Sequence, residues 1–208
     1  MGRYTGPVCR MCRREGMQLF LKGDRCFMAK CPVQTGRPPP GVHGMRRRKQ
    51  SDYGAQLREK QRLRRMYGMQ EGQFHGFFDK ALARRGVTGE VLLQMLEMRL
   101  DTIVQRLGFA ASRAGARQFV RHGHVEVNGR KATIPSMRLK PGDRVRVREK
   151  EHSRACAQPG MESAEARGIA PWLALDKQAF RGEILHLPTR EEIAPIVNEQ
   201  RVVELYSK

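Results

Sequence analysis

Four of the five cysteines fall in one short stretch: Cys9, Cys12, Cys26 and Cys31, spaced C-x2-C-x13-C-x4-C. A close pair lets two thiolates from one turn reach a single cation, and the intervening loop returns a second pair to close a tetrahedron. The stretch carries Arg3, Arg10, Arg13, Arg14, Lys22, Arg25 and Lys30 but few apolar residues, so a bound metal is the expected source of its order. Two disulfides, or four unrelated thiols, are the bland alternative. No apolar leader follows Met1, which favours a reducing compartment and thiolates held by metal. Zinc is the default occupant, and an all-cysteine set also suits a four-iron four-sulfur cluster; spacing alone does not separate them. Cys156 stands apart and reads as a plain free thiol.

The net charge of +19 is distributed unevenly. Residues 1–50 hold 12 Lys and Arg against 2 acids, and residues 98–150 hold 13 against 4. Between them, residues 51–97 are nearly balanced, and residues 151–208 carry 7 cations against 9 acids. Two basic modules facing one polyanion explain this better than a solubilising tail would, so nucleic acid is the expected partner. An anionic membrane is disfavoured, because no basic helix carries a strong aromatic or leucine face. No apolar run reaches membrane-spanning length, and a cytoplasmic location is expected.

Three prolines flanked by glycines at 37–44 predict an extended linker, followed by the cationic run Arg46, Arg47, Arg48 and Lys49. Ser51 is placed to cap a helix to about Tyr67, with Tyr53, Leu57, Leu63 and Tyr67 on one side and Arg58, Arg62 and Arg65 opposite. Those three arginines, with Tyr53 at the helix start, are candidate RNA contacts. A second helix is expected over Gln73–Arg85, burying Phe74, Phe77, Phe78, Ala81 and Leu82. A third begins at Thr88 and continues or kinks through Leu100, Ile103, Val104 and Leu107. Ser112 caps a short helix with Ala116, Phe119 and Val120 as its apolar face. Asn128-Gly129 between alternating segments predicts a type I′ hairpin over 124–134, and Arg144–Arg148 alternates as a strand. Residues 151–168 read as a loop or loose helix. Trp172–Leu175 and Ile184–Leu187 read as strands, and Asn198 caps a last helix.

On the Ser112 helix, Arg113, Arg117 and Arg121 recur every four residues, followed by His122, His124, Asn128, Arg130 and Lys131. This layout suits RNA recognition by shape and phosphate position. The run from Ser112 to Gly129 resembles the RNA-binding module of the small-subunit ribosomal protein four, or S-four, family. The resemblance extends to Met1-Gly2-Arg3-Tyr4, the cysteine spacing, Pro39–Gly44, Ser51-Asp52-Tyr53, Leu57–Gln61 and Asn198-Glu199-Gln200. It implies a structural protein that binds the five-prime domain of small-subunit ribosomal RNA early in assembly. It also implies contact with ribosomal protein five, a position near the channel through which messenger RNA enters, and an influence on decoding accuracy. The acids Glu183, Glu191, Glu192, Glu199 and Glu204 suggest a face for a basic neighbour.

The S-four module also occurs in RNA-modifying enzymes. Arg99-Leu100-Asp101 echoes a catalytic tripeptide of some pseudouridine synthases, but Leu100 continues a helical stripe, so Asp101 is expected to cap or pair within a helix. No Walker loop, dinucleotide fingerprint or nucleophile triad appears, and no enzyme is expected. An RNA-binding regulator carrying a four-cysteine sensor is the other alternative. The expected fold is mixed α+β in three parts. Residues 1–45 form a metal-bound extension with its linker. Residues 46–97 form a helical domain joined by a C-terminal helix at 196–208. Residues 98–195 form an inserted S-four domain of two short helices and an antiparallel sheet.

Overall fold

The computed structural model describes residues 4–44, 49, 51–165, 168–193 and 197–207. In chain order the helices are α1 (Cys9–Glu15), α2 (Asp52–Met66), α3 (Glu71–Leu82), α4 (Thr88–Glu97), α5 (Leu100–Arg106), α6 (Arg113–Arg121), α7 (Glu151–Glu165) and α8 (Glu199–Tyr206). The strands are β1 (Val125–Val127), β2 (Arg130–Ala132), β3 (Arg144–Val147), β4 (Leu173–Asp176) and β5 (Arg181–Ile184). The chain divides into two units, Met1–Leu92 with Pro195–Lys208, and Leu93–Ala194. No helix among the described residues is long and apolar enough to cross a membrane. Arg3 and Arg46, Arg47 and Arg48 lie outside the described residues.

In the first unit, the Ser51 hydroxyl accepts the Gly54 N–H at 3.2 Å and so starts α2 where the sequence places it. Leu63, Met66 and Tyr67 are buried, but Tyr53 is exposed and does not belong to the apolar face. A polar seam completes the packing of α2. The Gln56 amide donates to Glu204 at 2.9 Å, the Asn198 N–H donates to Glu59 at 3.1 Å, and Lys60 meets Glu71 at 2.6 Å. The Tyr206 hydroxyl also donates to Glu71, at 2.7 Å, and its ring stacks on Phe78 at 4.6 Å. Helix α3 buries Phe74, Phe78 and Ala81 but ends at Leu82, which is exposed; the expected extension to Arg85 and the burial of Leu82 are both corrected. The linker at 37–44 holds neither helix nor strand, as its prolines require.

The second unit carries one antiparallel sheet in the order β2-β1-β3-β5-β4. Of the two paths expected after α4, continuation or a kink, the chain takes the second: it breaks at Arg99, whose backbone is extended and bridges Arg138. The break does not leave the new helix start unsatisfied, because the Leu100 and Asp101 N–H groups donate to Met137 and Pro135 carbonyls at 2.8 and 3.0 Å. Leu100, Ile103, Val104 and Leu107 pack with Ala116, Phe119 and Val120 of α6 onto Val125, Val127, Val145 and Val147 of the sheet. Each fully buried aliphatic contributes roughly 1.5–3 kcal/mol. The β1–β2 turn has Asn128 at φ 50° and Gly129 at φ 79°, the type I′ geometry that Asn-Gly predicts.

Two expectations for this unit are corrected. The last strand is Arg181–Ile184, not Ile184–Leu187, and Leu185 and Leu187 are exposed. Residues 151–165 form a regular 15-residue helix that tolerates Pro159. Its buried positions are Ser153, Ala157, Gly160, Met161 and Ala164, a helical stripe made mostly of small side chains.

Candidate nucleic-acid interface

In the first unit, α1 carries Cys9 and Cys12 one turn apart, Cys26 closes a 3-10 turn at Gly23–Cys26, and Cys31 follows. Cys12, Cys26 and Cys31 are buried, Cys9 is half-buried, and all four are free thiols. Amide groups point at the sulfurs: the Lys22 N–H meets Cys26 Sγ at 3.3 Å and the Gln18 side chain meets Cys31 Sγ at 3.4 Å. Burial pushes the Cys12 thiol up, a Leu19 backbone bond opposes this, and charge on Cys26, Cys9 and Cys31 adds to the rise. Burial also raises Cys26. At Cys31 desolvation is outweighed by the Val33 N–H, the Gln18 amide, the Gln34 N–H and Arg25, and the thiol is lowered. Among the described residues, no three His, Cys, Asp or Glu side chains close into a formed metal shell. Thiol sulfurs, with N–H donors aimed at Cys12, Cys26 and Cys31, are the donor type that a soft cation takes.

Glu15 ends α1 with its side chain fully buried. Arg58 reaches it at 3.2 Å, Arg62 at 3.7 Å, and Arg65 is in direct contact with the same carboxylate. Arg62 also pairs with Glu59. These three arginines were expected to face RNA. Positions 58, 62 and 65 do share one face of α2, but that face grips the cysteine module, leaving about a quarter of each side chain exposed. Burial pulls the Arg58 guanidinium down, with Glu15 opposing and Arg14, Arg65 and Arg62 reinforcing. Arg10, Arg14, Lys49 and Tyr53 are exposed, while Arg13 donates to the Pro38 carbonyl at 3.0 Å.

In the second unit, the Ser112 hydroxyl accepts the Gly115 N–H at 3.2 Å and fixes the start of α6. The expected cationic stripe on α6 is divided. Arg113 approaches buried Glu97 at 3.7 Å and Arg117 approaches Asp101 at 3.7 Å, while Arg121 is exposed. Glu97 also takes Arg106 through bonds of 3.0 and 2.7 Å, and Asp101 takes Arg99 through bonds of 3.0 and 2.7 Å. Asp101 therefore pairs at a helix start, as the stripe through Leu100 implied. Buried carboxylates need such partners, and here α6 supplies two of them.

His124 stacks on Phe119 at 4.9 Å, and its Nδ1 lies 2.9 Å from the Ser153 hydroxyl. Burial, followed by His152, His122 and Arg148, depresses its pKa below the ordinary imidazole value. Asn128 acts within the protein: its amide donates to Asp143 at 2.8 Å and its carbonyl accepts the Arg144 N–H at 2.9 Å. Arg121, His122, Asn128, Arg130 and Lys131 are the predicted contacts that stand exposed on this unit, Asn128 with its side chain already engaged by Asp143 and Arg144. Arg138 and Lys140, not among the predicted contacts, are exposed beyond them in the sequence. The expected acidic face is largely committed: Glu183 pairs with Arg144 at 3.1 Å, Glu192 with His186 at 3.0 Å, and Glu204 accepts from Gln56; Glu191 is exposed. Sequence reasoning missed Phe20 and Phe27, whose residue type gives no signal of exposure; they stand at the surface, stacked at 5.1 Å.

Residues 3–97 match the ribosomal protein S4/S9 N-terminal domain family, and residues 98–145 match the S4 domain family. The small ribosomal subunit protein uS4 of Geotalea uraniireducens is 56% identical over 208 residues, covering all of both chains. That of Trichlorobacter lovleyi is 55% identical over 208 residues, and that of Thermus thermophilus is 52% identical over 209 residues, again with both chains covered completely.

Proposed function

The chain belongs to the uS4 family of small-subunit ribosomal proteins, and we infer that it is a structural constituent of that subunit which binds its ribosomal RNA. The observation that carries the RNA reading is the set of exposed cations on two compact units: Arg10 and Arg14 on one, Arg121, Arg130 and Lys131 on the other, with His122 exposed beside Arg121. Phosphate contacts from two folded units suit a folded RNA junction, with no pocket needed for a base or small substrate. The proposed target is the five-prime domain, bound early so that assembly nucleates there. Ribosomal protein five is the proposed protein neighbour, and the incoming messenger RNA the proposed third contact, giving an influence on decoding accuracy. A family of structural proteins, with paired arginines where a catalytic tripeptide was conceivable, supports a non-enzymatic role.

Cys9, Cys12, Cys26 and Cys31 are proposed to hold one structural metal, zinc by default or a four-iron four-sulfur cluster. Such a centre would supply cross-linking of the module. The Lys22 N–H and the Gln18 amide would orient Cys26 and Cys31 toward it. Elemental analysis should find about one zinc or about four irons per chain, and Cys26→Ser should release the metal and loosen only the N-terminal module. Finding neither metal would remove this reading while leaving the RNA reading intact. Co-sedimentation with small subunits, together with binding to a five-prime-domain transcript, tests the principal function; a chain that stays at the top of the gradient and ignores the transcript would refute it.

A further inference from the structure

The cysteine module has the makings of a second recognition surface, distinct in chemistry from its arginines. Phe20 and Phe27 stack with ring centroids 5.1 Å apart and planes 27° from parallel. They are 38% and 53% exposed, and Met28 beside them is 55% exposed. Large apolar side chains grouped on the surface of so small a module call for a partner. The pair is firmly mounted, since each ring follows a buried anchor, Leu19 before Phe20 and Cys26 before Phe27. The Lys22 N–H bond to Cys26 Sγ closes the loop between them. Phe20 adopts φ 51°, a left-handed backbone that a bulky residue rarely accepts and that persists only where its surroundings enforce it. Lys22, Arg25 and Lys30 are interleaved with the rings along the same loop.

We propose that Phe20 and Phe27 form a stacking platform for an unstacked nucleobase of the ribosomal RNA, with Lys22, Arg25 and Lys30 engaging the flanking phosphates. A protein partner would favour the rings alone. The cations between them, in a module whose first 50 residues carry 12 basic and 2 acidic side chains, complement a polyanion. Rings set among cations are how proteins hold single-stranded bases, because every base has a π-face and every nucleotide a phosphate. The proposal rests on the RNA-binding reading and adds a non-ionic contact to it.

The test uses the full chain and a naked five-prime-domain transcript over a series of salt concentrations. Phe27→Leu keeps apolar bulk but loses the ring; it should weaken binding roughly 5- to 150-fold at every salt concentration without changing the slope. Phe27→Tyr should bind like the wild type. A Phe27→Trp variant gives a second readout, because its exposed indole should be quenched by the transcript while native Trp172 is buried. Equal affinity of the Leu variant and the wild type, or an unquenched indole, would overturn the platform. So would normal transcript binding with lost incorporation into subunits, which would assign the rings to a protein neighbour. In all these cases wild-type RNA binding, and its roughly fivefold weakening on Arg121→Ala, would stand and keep the broader reading separate.

Discussion

Replacing Glu15 by Gln removes the one charge on which Arg58, Arg62 and Arg65 converge while keeping its shape. A hydrogen bond to a charged group contributes roughly 1.5–3 kcal/mol, and breaking a buried ion pair from one side costs about 3–5 kcal/mol. The full penalty does not apply here. Each guanidinium keeps about a quarter of its side chain in water, and the glutamine carbonyl still accepts one bond. A loss of about 2–4 kcal/mol is therefore expected, confined to the first unit. Native-state hydrogen exchange on the full chain reads this directly: amides of α1 should lose protection by roughly 30- to 700-fold while α5 and α6 are unaffected. Arg65→Gln added to Glu15→Gln should cost much less than the sum of the two, since the two residues share one interaction. Protection in α1 within about twofold of the wild type would refute the clasp and return the three arginines to the RNA-facing role their spacing suggested.

Binding to the transcript should show a log–log salt slope of roughly −4 to −7, for about 5–8 neutralised phosphates. Arg121→Ala should weaken binding by about 1 kcal/mol and flatten the slope by about 1, whereas Arg117→Ala, facing Asp101, should chiefly lower stability; salt-independent affinity would contradict this. Gly129→Val forces a β-branched residue into φ 79° and should cost the second unit about 1–2 kcal/mol by urea titration. Glu126 is held below its ordinary value of 4.5 first by the Arg146 bond and then by Arg148. Its folded pKa is depressed, so the stability it contributes is present above pH 4.5 and is lost as pH falls through the folded value. Urea midpoints measured from neutral pH downward should decline on the acid side, and Glu126→Gln should flatten that decline.

Local chemistry made much of the second unit legible. Ser112, Asn128-Gly129 and the alternation at Arg144–Val147 each specify their element through neighbours a few residues away, and each element forms where the sequence predicts it. Helix α7 is obscured because its buried stripe is built from Ser153, Ala157, Gly160 and Ala164, with Met161 its one large apolar side chain. What it offers is close approach: a Cβ on Gly160 would lie 2.5 Å from the Gly108 carbonyl. The displaced strand β5 has a similar cause. Ile184–Leu187 looked like the apolar alternation, yet Gly182 is the residue that must sit against Leu107, where any Cβ would collide. For the site, residue type indicated which side chains carry charge but not which charge each one meets. Arg58 and Glu15 are 43 residues apart, and no period in the sequence links them. Most of the arginines anticipated as RNA contacts on α2 and α6 were therefore spoken for by buried carboxylates.

The first unit is discontinuous, and that has a consequence in time. The second unit is one uninterrupted run, Leu93–Ala194, so its internal contacts can all form once that run exists. The first unit cannot close so early, because the Gln56–Glu204 bond spans 148 residues and the Asn198–Glu59 bond spans 139. At roughly 5–20 residues per second of synthesis, α2 waits on the order of 7–30 seconds for α8. Throughout that interval the side of α2 destined for α8 is exposed in a chain rich in cations. The later-encoded unit thus matures ahead of the earlier one, and the long delay falls on the part of the protein whose cysteines, all made by residue 31, have the longest opportunity to be loaded or oxidised.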